Sequence, residues 1–295
     1  MTTIKFPEQS YDSVDVYHNV LSSYKKTVCI DGTVTVDLSE VKFIKPVGLN
    51  LTCCMIASLL LRGRAVSFKR PLSMSVEKYL TDEGFYKTFD IQDQSVRANP
   101  RETSVQLRQI AQKIDYGYIN QIPYWLNQNS QLDPNVIREV VQINLVEAIK
   151  NVLDHSKSSF GCYVCAQAYH RQSLLVFCVM DFGVGFRANL QPVYPEIQDD
   201  VVALTRAVES GVSSLRKIDQ RPRGAGLDVI RGFMKRMGTL EIVSGAGRWV
   251  SDPKGRVQTD RLPVSFPGSY LLLNLEIQRL KDYSEELAED ANIDF

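Results

Sequence analysis

LLVFCVMDFGVG, residues 174–185, sets an apolar run directly against an aspartate and two glycines. Leu174–Met180 reads as a strand, and a second strand-like run, Cys162–Ala168, precedes it across the polar turn HRQS. Asp181–Gly185 is therefore expected to be a loop at a strand end. Its two glycines let backbone approach a flat or phosphorylated ligand closely. Asp181 there can accept a hydrogen bond from an exocyclic amine, and the same five residues can equally form a tight structural turn.

Two further constellations flank this loop. Glu147, Asn151 and His155 are spaced four apart, so on a helix they form one polar stripe across about two turns. Val146, Ile149, Val152 and Leu153 supply another, apolar face, and the plain alternative is a solvated polar stripe. The spacing predicts this helix over 134–153, with Asp133 as N-cap and Pro134 at its first position. Downstream, Arg223-Gly224-Ala225-Gly226 precedes a helix predicted over Leu227–Met237, where free helix-terminal N–H groups suit phosphates. Arg221 and Arg223 add positive charge. The segment is neither the phosphate loop ending in Lys and Ser/Thr nor GxGxxG after a strand, and a turn with a cap explains it equally. Residues 187–222, with a helix around Asp199–Glu209, are expected to act as a lid.

Taken in order, EAIKN with His155, DFGVG, RGAGL and the later FPGS (266–269) resemble the GHKL, or Bergerat-type, ATP-binding domain, over roughly residues 105–278. The pattern is most similar to the histidine-kinase and anti-sigma-factor-kinase branches. The resemblance implies a mixed sheet covered on one side by helices, with ATP and Mg2+ held between the helices and the lid. Asn151 would coordinate magnesium against the phosphates, and Glu147 would orient or deprotonate water or a protein hydroxyl. His155 would lie near the phosphates. Asp181 would recognise the adenine amine, and Gly183 and Gly185 would shape that pocket. Arg223, Gly224, Gly226 and Leu227 would support the phosphate-binding lid, and Gly268 and Ser269 would enter the sheet beside the base. None of His18, His155 and His170 stands in the acidic-arginine-proline context of a phosphoacceptor box, so autophosphorylation on histidine is not expected.

The first third reads as strand (Gly32–Leu38), helix (Leu49–Leu61) and strand (Ala65–Phe68), then a helix from Met74 to Leu80 capped by Ser73. VTVDLSEVKFIKPVGLNLTCCMIASLLLRGRAVSFKR with VEKYLTDEGFYKTF resembles a STAS domain over roughly residues 12–92. The family's phosphoacceptor serine before the helix is missing, because residues 43–48 read FIKPVG. Residues 91–104 read as a connector, and Val105–Leu126 as a helix or a pair of helices broken at Pro123. Gly238 is expected to cap the Leu227 helix, Thr239–Val243 to form a strand ending at SGAG, and Tyr270–Ile277 a final strand.

The expected fold class is therefore α/β and α+β. Residues 1–95 would form a STAS-like regulatory or interaction domain, 96–280 a GHKL-type ATP-binding domain with preceding helices, and 281–295 an acidic tail. A length of 295 residues accommodates two such units at about 100–200 residues each. Thirty-four basic and 34 acidic residues give no global attraction to nucleic acid or anionic membrane. The longest apolar run, Leu49–Leu61, falls short of the ~20 residues of a spanning helix, so no membrane insertion is expected. The first residues lack a signal-peptide pattern, and the six cysteines lie mostly in apolar segments; both suit a cytoplasmic protein with reduced thiols. The Cys162/Cys165 pair should point to opposite faces of its strand. The expectation is an Mg-ATP-binding signalling protein that hydrolyses ATP or phosphorylates a protein partner. The alternative is a non-hydrolysing, ATP-controlled interaction switch or adaptor. A regulatory protein partner is expected, and a homodimer is compatible with the sequence.

Overall fold

The computed structural model describes residues 2–28, 32–91, 97–212 and 226–293. Cys29, Arg221, Arg223, Gly224 and the 213–222 part of the expected lid lie outside the described residues. The first third comprises β1 (Thr2–Lys5), β2 (Gln9–Ser10), α1 (His18–Val28), β3 (Val34–Asp37), β4 (Phe43–Ile44), α2 (Pro46–Leu61), β5 (Val66–Lys69), α3 (Met74–Asp82) and α4 (Phe85–Thr88). Strands β1, β3 and β5 form a parallel sheet with β3 central, and β2 pairs with β4 in a parallel two-stranded ladder. The expected strand–helix–strand order is present. Helix α2 begins three residues earlier than predicted because Pro46 suits the first turn and the Asp12 carboxylate accepts from the Val47 N–H at 3.1 Å.

The remainder runs β6 (Ser104–Ile110), α5 (Tyr116–Ile119), α6 (Gln121–Ser130), α7 (Pro134–Val136), a π-helical turn at Ile137–Val141, α8 (Gln142–His155), β7 (Cys162–Tyr169), β8 (Leu174–Asp181), α9 (Gly185–Leu190), α10 (Asp200–Ala207), α11 (Gly226–Met237), β9 (Gly238–Ser251), β10 (Val257–Glu276) and α12 (Ile277–Ile293). Asp133 caps the first of the helices leading to α8, accepting from Asn135 N–H at 2.8 Å. The protein is thus a mixed α/β molecule with several sheets.

Three expectations are corrected. Residues 104–110 form an edge strand, not a helix. An irregularity between Val105 and Arg108 turns Val105 and Ile110 to one face and Leu107 to the other, so the apolar spacing imitates a helix. The five-stranded sheet, ordered β6-β7-β8-β10-β9, is antiparallel at every pairing among the described residues and not mixed. The connection leaving β8 does deliver β9 in the same direction as β8, but β10 folds back between them. Finally, β9 and β10 form one long hairpin through SGAG and FPGS, and Gly238 opens β9 instead of capping α11. A methyl group on Gly238 would lie 1.9 Å from the Asn274 carbonyl oxygen, so the close strand contact accounts for the glycine. Most of the expected acidic tail is helical, and α12 buries Leu280 and lays Tyr283 under the Arg236 guanidinium.

Both faces of the five-stranded sheet are buried. Cys162, Val164, Leu175, Phe177, Val179, Leu271 and Leu273 face a core shared with α6, α8, α10 and α11. Tyr163, Cys165, Val176, Cys178, Met180, Tyr270 and Leu272 face a second core built with α1 and α2. Cys162 and Cys165 therefore do point to opposite faces. Helix α2 is buried at every position from Pro46 to Leu59, as an all-round apolar helix must be. Its one amide, Asn50, donates to the Tyr163 and Cys178 carbonyls at 3.2 and 3.1 Å and accepts from the Cys165 thiol. Among the described residues no helix is long and apolar enough to cross a membrane.

Asn50→Leu keeps the branched shape and the number of side-chain heavy atoms and removes these bonds inside a buried interface. It should lower unfolding free energy by about 1–3 kcal/mol in urea denaturation, the cost of buried polar groups left without their partner.

Candidate functional site

The odd-numbered positions of β8 face the α8 side, and the alternation continues through the strand's last residue. Asp181 thus puts its carboxylate on the helix-covered face with 1 % exposure. Directly opposite it on β10 is Ser269, and opposite Ser269 on β9 is Ser244. The Ser269 hydroxyl donates to Ser244 Oγ at 3.1 Å, and Ser244 donates to the Gly268 carbonyl at the same distance. A row of one carboxylate and two hydroxyls therefore crosses three strands at the end of an otherwise apolar face. Gly268 lies against the Asp181–Phe182 backbone, where a methyl group would come within 2.2 Å of the Asp181 carbonyl oxygen.

The DFGVG loop is pinned to the end of α8. Val184 N–H donates to the Ser156 carbonyl at 2.8 Å, and Asn189 Nδ2 bridges the carbonyls of His155 and Gly185 at 2.7 and 3.0 Å. Gly183 has no room for a side chain, since a methyl group there would lie 1.9 Å from the Ser156 oxygen. Gly185 adopts φ +77°, a conformation that favours glycine, and the following Phe186 N–H donates to Ser244 Oγ at 3.0 Å. Ser244, Asn189 and Ser156 escaped the sequence reading. Ser244 opens the SGAG segment, whose small residues signal a loop and hide a strand position.

Glu147 and Asn151 share one face of α8 and converge on the first residue of α11. A methyl group on Gly226 would lie 2.7 Å from both Glu147 Oε1 and Asn151 Nδ2. Asn151 Nδ2 is buried without a hydrogen-bond partner among the described residues. Lys150 Nζ stands 3.9 Å from Glu147 Oε2. His155 lies one turn further along; burial holds its imidazole below the usual value, with Asp154 and Glu147 acting in the opposite direction. Leu227 belongs to the helix-side core, so its contribution is packing. Glu147, Asn151, Gly226, Asp181 and Ser269 thus all lie on the α8 side of the sheet. Arg223 and Gly224 lie outside the described residues.

Burial pushes the Asp181 carboxyl up to about 7, partly offset by its 2.7 Å bond from the Gly183 N–H. A cleft of about 400 Å³ borders the loop, lined by Gly183, Val184 and Gly268 of the strand-end site together with Arg187, Gln191, Asp200, Ser265 and Phe266. Glu147, Asn151 and Asp181 do not line it. Comparison with protein-family models and with curated proteins returns no match for this chain.

Burial favours the protonated Asp181 side chain. The folded state holds this proton more tightly than the unfolded chain, whose carboxyl titrates near 3.8. The contribution to stability therefore falls as pH rises between about 4 and about 7, and the loss is complete above that window. Asp181→Asn should gain stability over the wild type between pH 5 and pH 8, by on the order of a few kcal/mol at the upper end. Ligand-free urea titrations at several pH values check this.

Proposed function

We propose that this chain is an Mg-ATP-binding signalling or regulatory protein that hydrolyses ATP or transfers its phosphoryl group to a protein partner. In this reading residues 96–280 form a GHKL-type nucleotide domain and residues 1–95 a STAS-like regulatory or interaction domain. The observation that carries it is that a buried carboxylate, Asp181 beside Ser269, and a carboxylate–amide pair, Glu147 and Asn151, at the N-terminus of the twelve-residue helix α11 lie on the same side of one sheet. Four sequence segments far apart in the chain supply these groups to one side of one sheet.

The residues present fit the ligand. Asn151 offers a neutral oxygen and Glu147 an anionic one beside helix-terminal N–H groups, which suits a magnesium ion that draws most of its remaining oxygens from phosphates and water. Bound Mg-ATP supplies the electrophilic phosphoryl group. Asp181 accepts from the exocyclic amine of the base, and Ser269 and Ser244 hold that strand end in place. Asn151 would hold the metal, Glu147 would take the proton of the attacking water or hydroxyl, and His155, whose imidazole burial holds below its usual value, would border the phosphates.

Titration calorimetry of the purified protein should show saturable Mg-ATP binding. Asp181→Asn should weaken it at least about tenfold while the protein stays folded, because an amide presents an N–H toward the amine as readily as an oxygen. Absence of saturable binding by the wild type would overturn the proposal.

Glu147→Gln separates chemistry from binding. It should retain nucleotide affinity and lower product formation by about 100-fold or more, the usual contribution of a positioned base; unchanged turnover removes Glu147 from that role. A non-hydrolysing, ATP-controlled interaction switch is the second reading, favoured by the direct packing of the DFGVG loop on the N-terminal segment. It requires nucleotide to change partner affinity in the Glu147→Gln protein as it does in the wild type.

A further inference from the structure

Asp181 and Phe182 are consecutive residues at a strand end and so point to opposite faces of the sheet. The carboxylate enters the helix-side site. The phenyl ring enters the core built with the N-terminal segment, where its centroid lies 5.4 Å from that of Tyr24 on α1, 5.6 Å from Phe266 and 6.3 Å from Phe160. Tyr24 is 3 % exposed and fixed by a 2.6 Å hydrogen bond between its hydroxyl and Ser58 on α2. The Cys54 thiol of α2 donates to the Met180 carbonyl, one residue before Asp181. The aromatic contacts continue outward: Phe160 meets Tyr163, Tyr163 meets Phe89 of the first third, and Phe89 meets Phe85 on α4.

On the far side the loop is held by the Ser156, Asn189 and Ser244 hydrogen bonds. The Tyr24 ring is the contact that α1 makes in the aromatic set around Phe182, and its hydroxyl is itself held by Ser58. We propose that Tyr24 is a positioning residue for the DFGVG loop, through which the N-terminal segment sets how tightly the strand-end site holds its nucleotide. The inference rests on the ATP reading above and deepens it by naming a regulatory contact. Interiors are close-packed, so removing the Tyr24 ring opens space beside Phe182. A shift of that ring into the space carries Asp181, its chain neighbour, out of register with the base.

The test uses the full-length chain with two readouts, Mg-ATP affinity by calorimetry and amide exchange at Val184 and Phe186 in the ligand-free protein. Tyr24→Leu should weaken Mg-ATP by about five- to tenfold and speed exchange at both amides, while Tyr24→Phe, which keeps the ring and loses the hydroxyl, should leave both near wild type. Tyr24→Met, close in volume, carries the same expectation if Tyr24→Leu does not fold. The double variant Tyr24→Leu/Phe182→Leu should bind no more weakly than Phe182→Leu alone, since both changes break one contact. Unchanged affinity and exchange in Tyr24→Leu, or additive losses in the double variant, overturn the inference. Faster exchange in a protein whose wild type binds no Mg-ATP would sink the nucleotide reading and leave the positioning role standing.

Discussion

A five-stranded sheet that is apolar on both faces must be covered twice, and that requirement organises the molecule. Antiparallel sheets commonly leave one face to water. Here β7 and β8 are buried along nearly their whole lengths, so the N-terminal segment is part of the sheet's own core. Helix α2 answers this demand by being apolar around its full circumference. It packs against β7 and β8 on one side and contacts β5 of the small parallel sheet on another. The one amide it carries into that interface, Asn50, is tied to the carbonyls of both central strands. Neither covering layer can be removed without exposing large apolar side chains, a cost of about 25 cal/mol per Å².

Two-sided burial also gives the end of β8 its character. Where the strand stops, the pleat sends Asp181 toward the helices and Phe182 toward the N-terminal segment, so one peptide unit joins a polar row to an apolar core. The polar row Asp181–Ser269–Ser244 closes the helix-side face where the apolar ladder ends. Glycine at 183 lets the α8 terminus approach within hydrogen-bonding distance. The candidate nucleotide groups and the N-terminal contacts are therefore mechanically adjacent although far apart in sequence.

Much of this was legible in the residues. Strands β7 and β8, helices α8, α10 and α11, and the loop at Asp181 follow from period, caps and turn chemistry, and the polar stripe Glu147–Asn151 faces a common point as its spacing requires. Strand β6 was not legible, because its irregularity redirects Leu107 and leaves an apolar spacing that a helix also satisfies. The outer halves of β9 and β10 were missed because glycines and charged residues interrupt their alternation, although Trp249 and Leu262 are buried there. The mixed sheet that the resemblance implied is replaced by an antiparallel one, and nothing local reveals that β10 inserts between β8 and β9. Ser244 and the Phe182–Tyr24 contact depend on tertiary placement, which no motif encodes. The Asp181 environment was inferred from chemistry alone, and its burial is a property of the assembled sheet.

Under the proposed function, Asp181 and Asn151 hold the two ends of one nucleotide. A crystal structure of the full chain with magnesium and a non-hydrolysable ATP analogue addresses it most directly. The expected result is the adenine amine hydrogen-bonded to the Asp181 carboxylate beside Ser269, and the magnesium bound to the Asn151 side-chain oxygen at the start of α11. A nucleotide seated instead in the cleft of Arg187, Gln191 and Asp200, with Asp181 and Asn151 untouched, would contradict it.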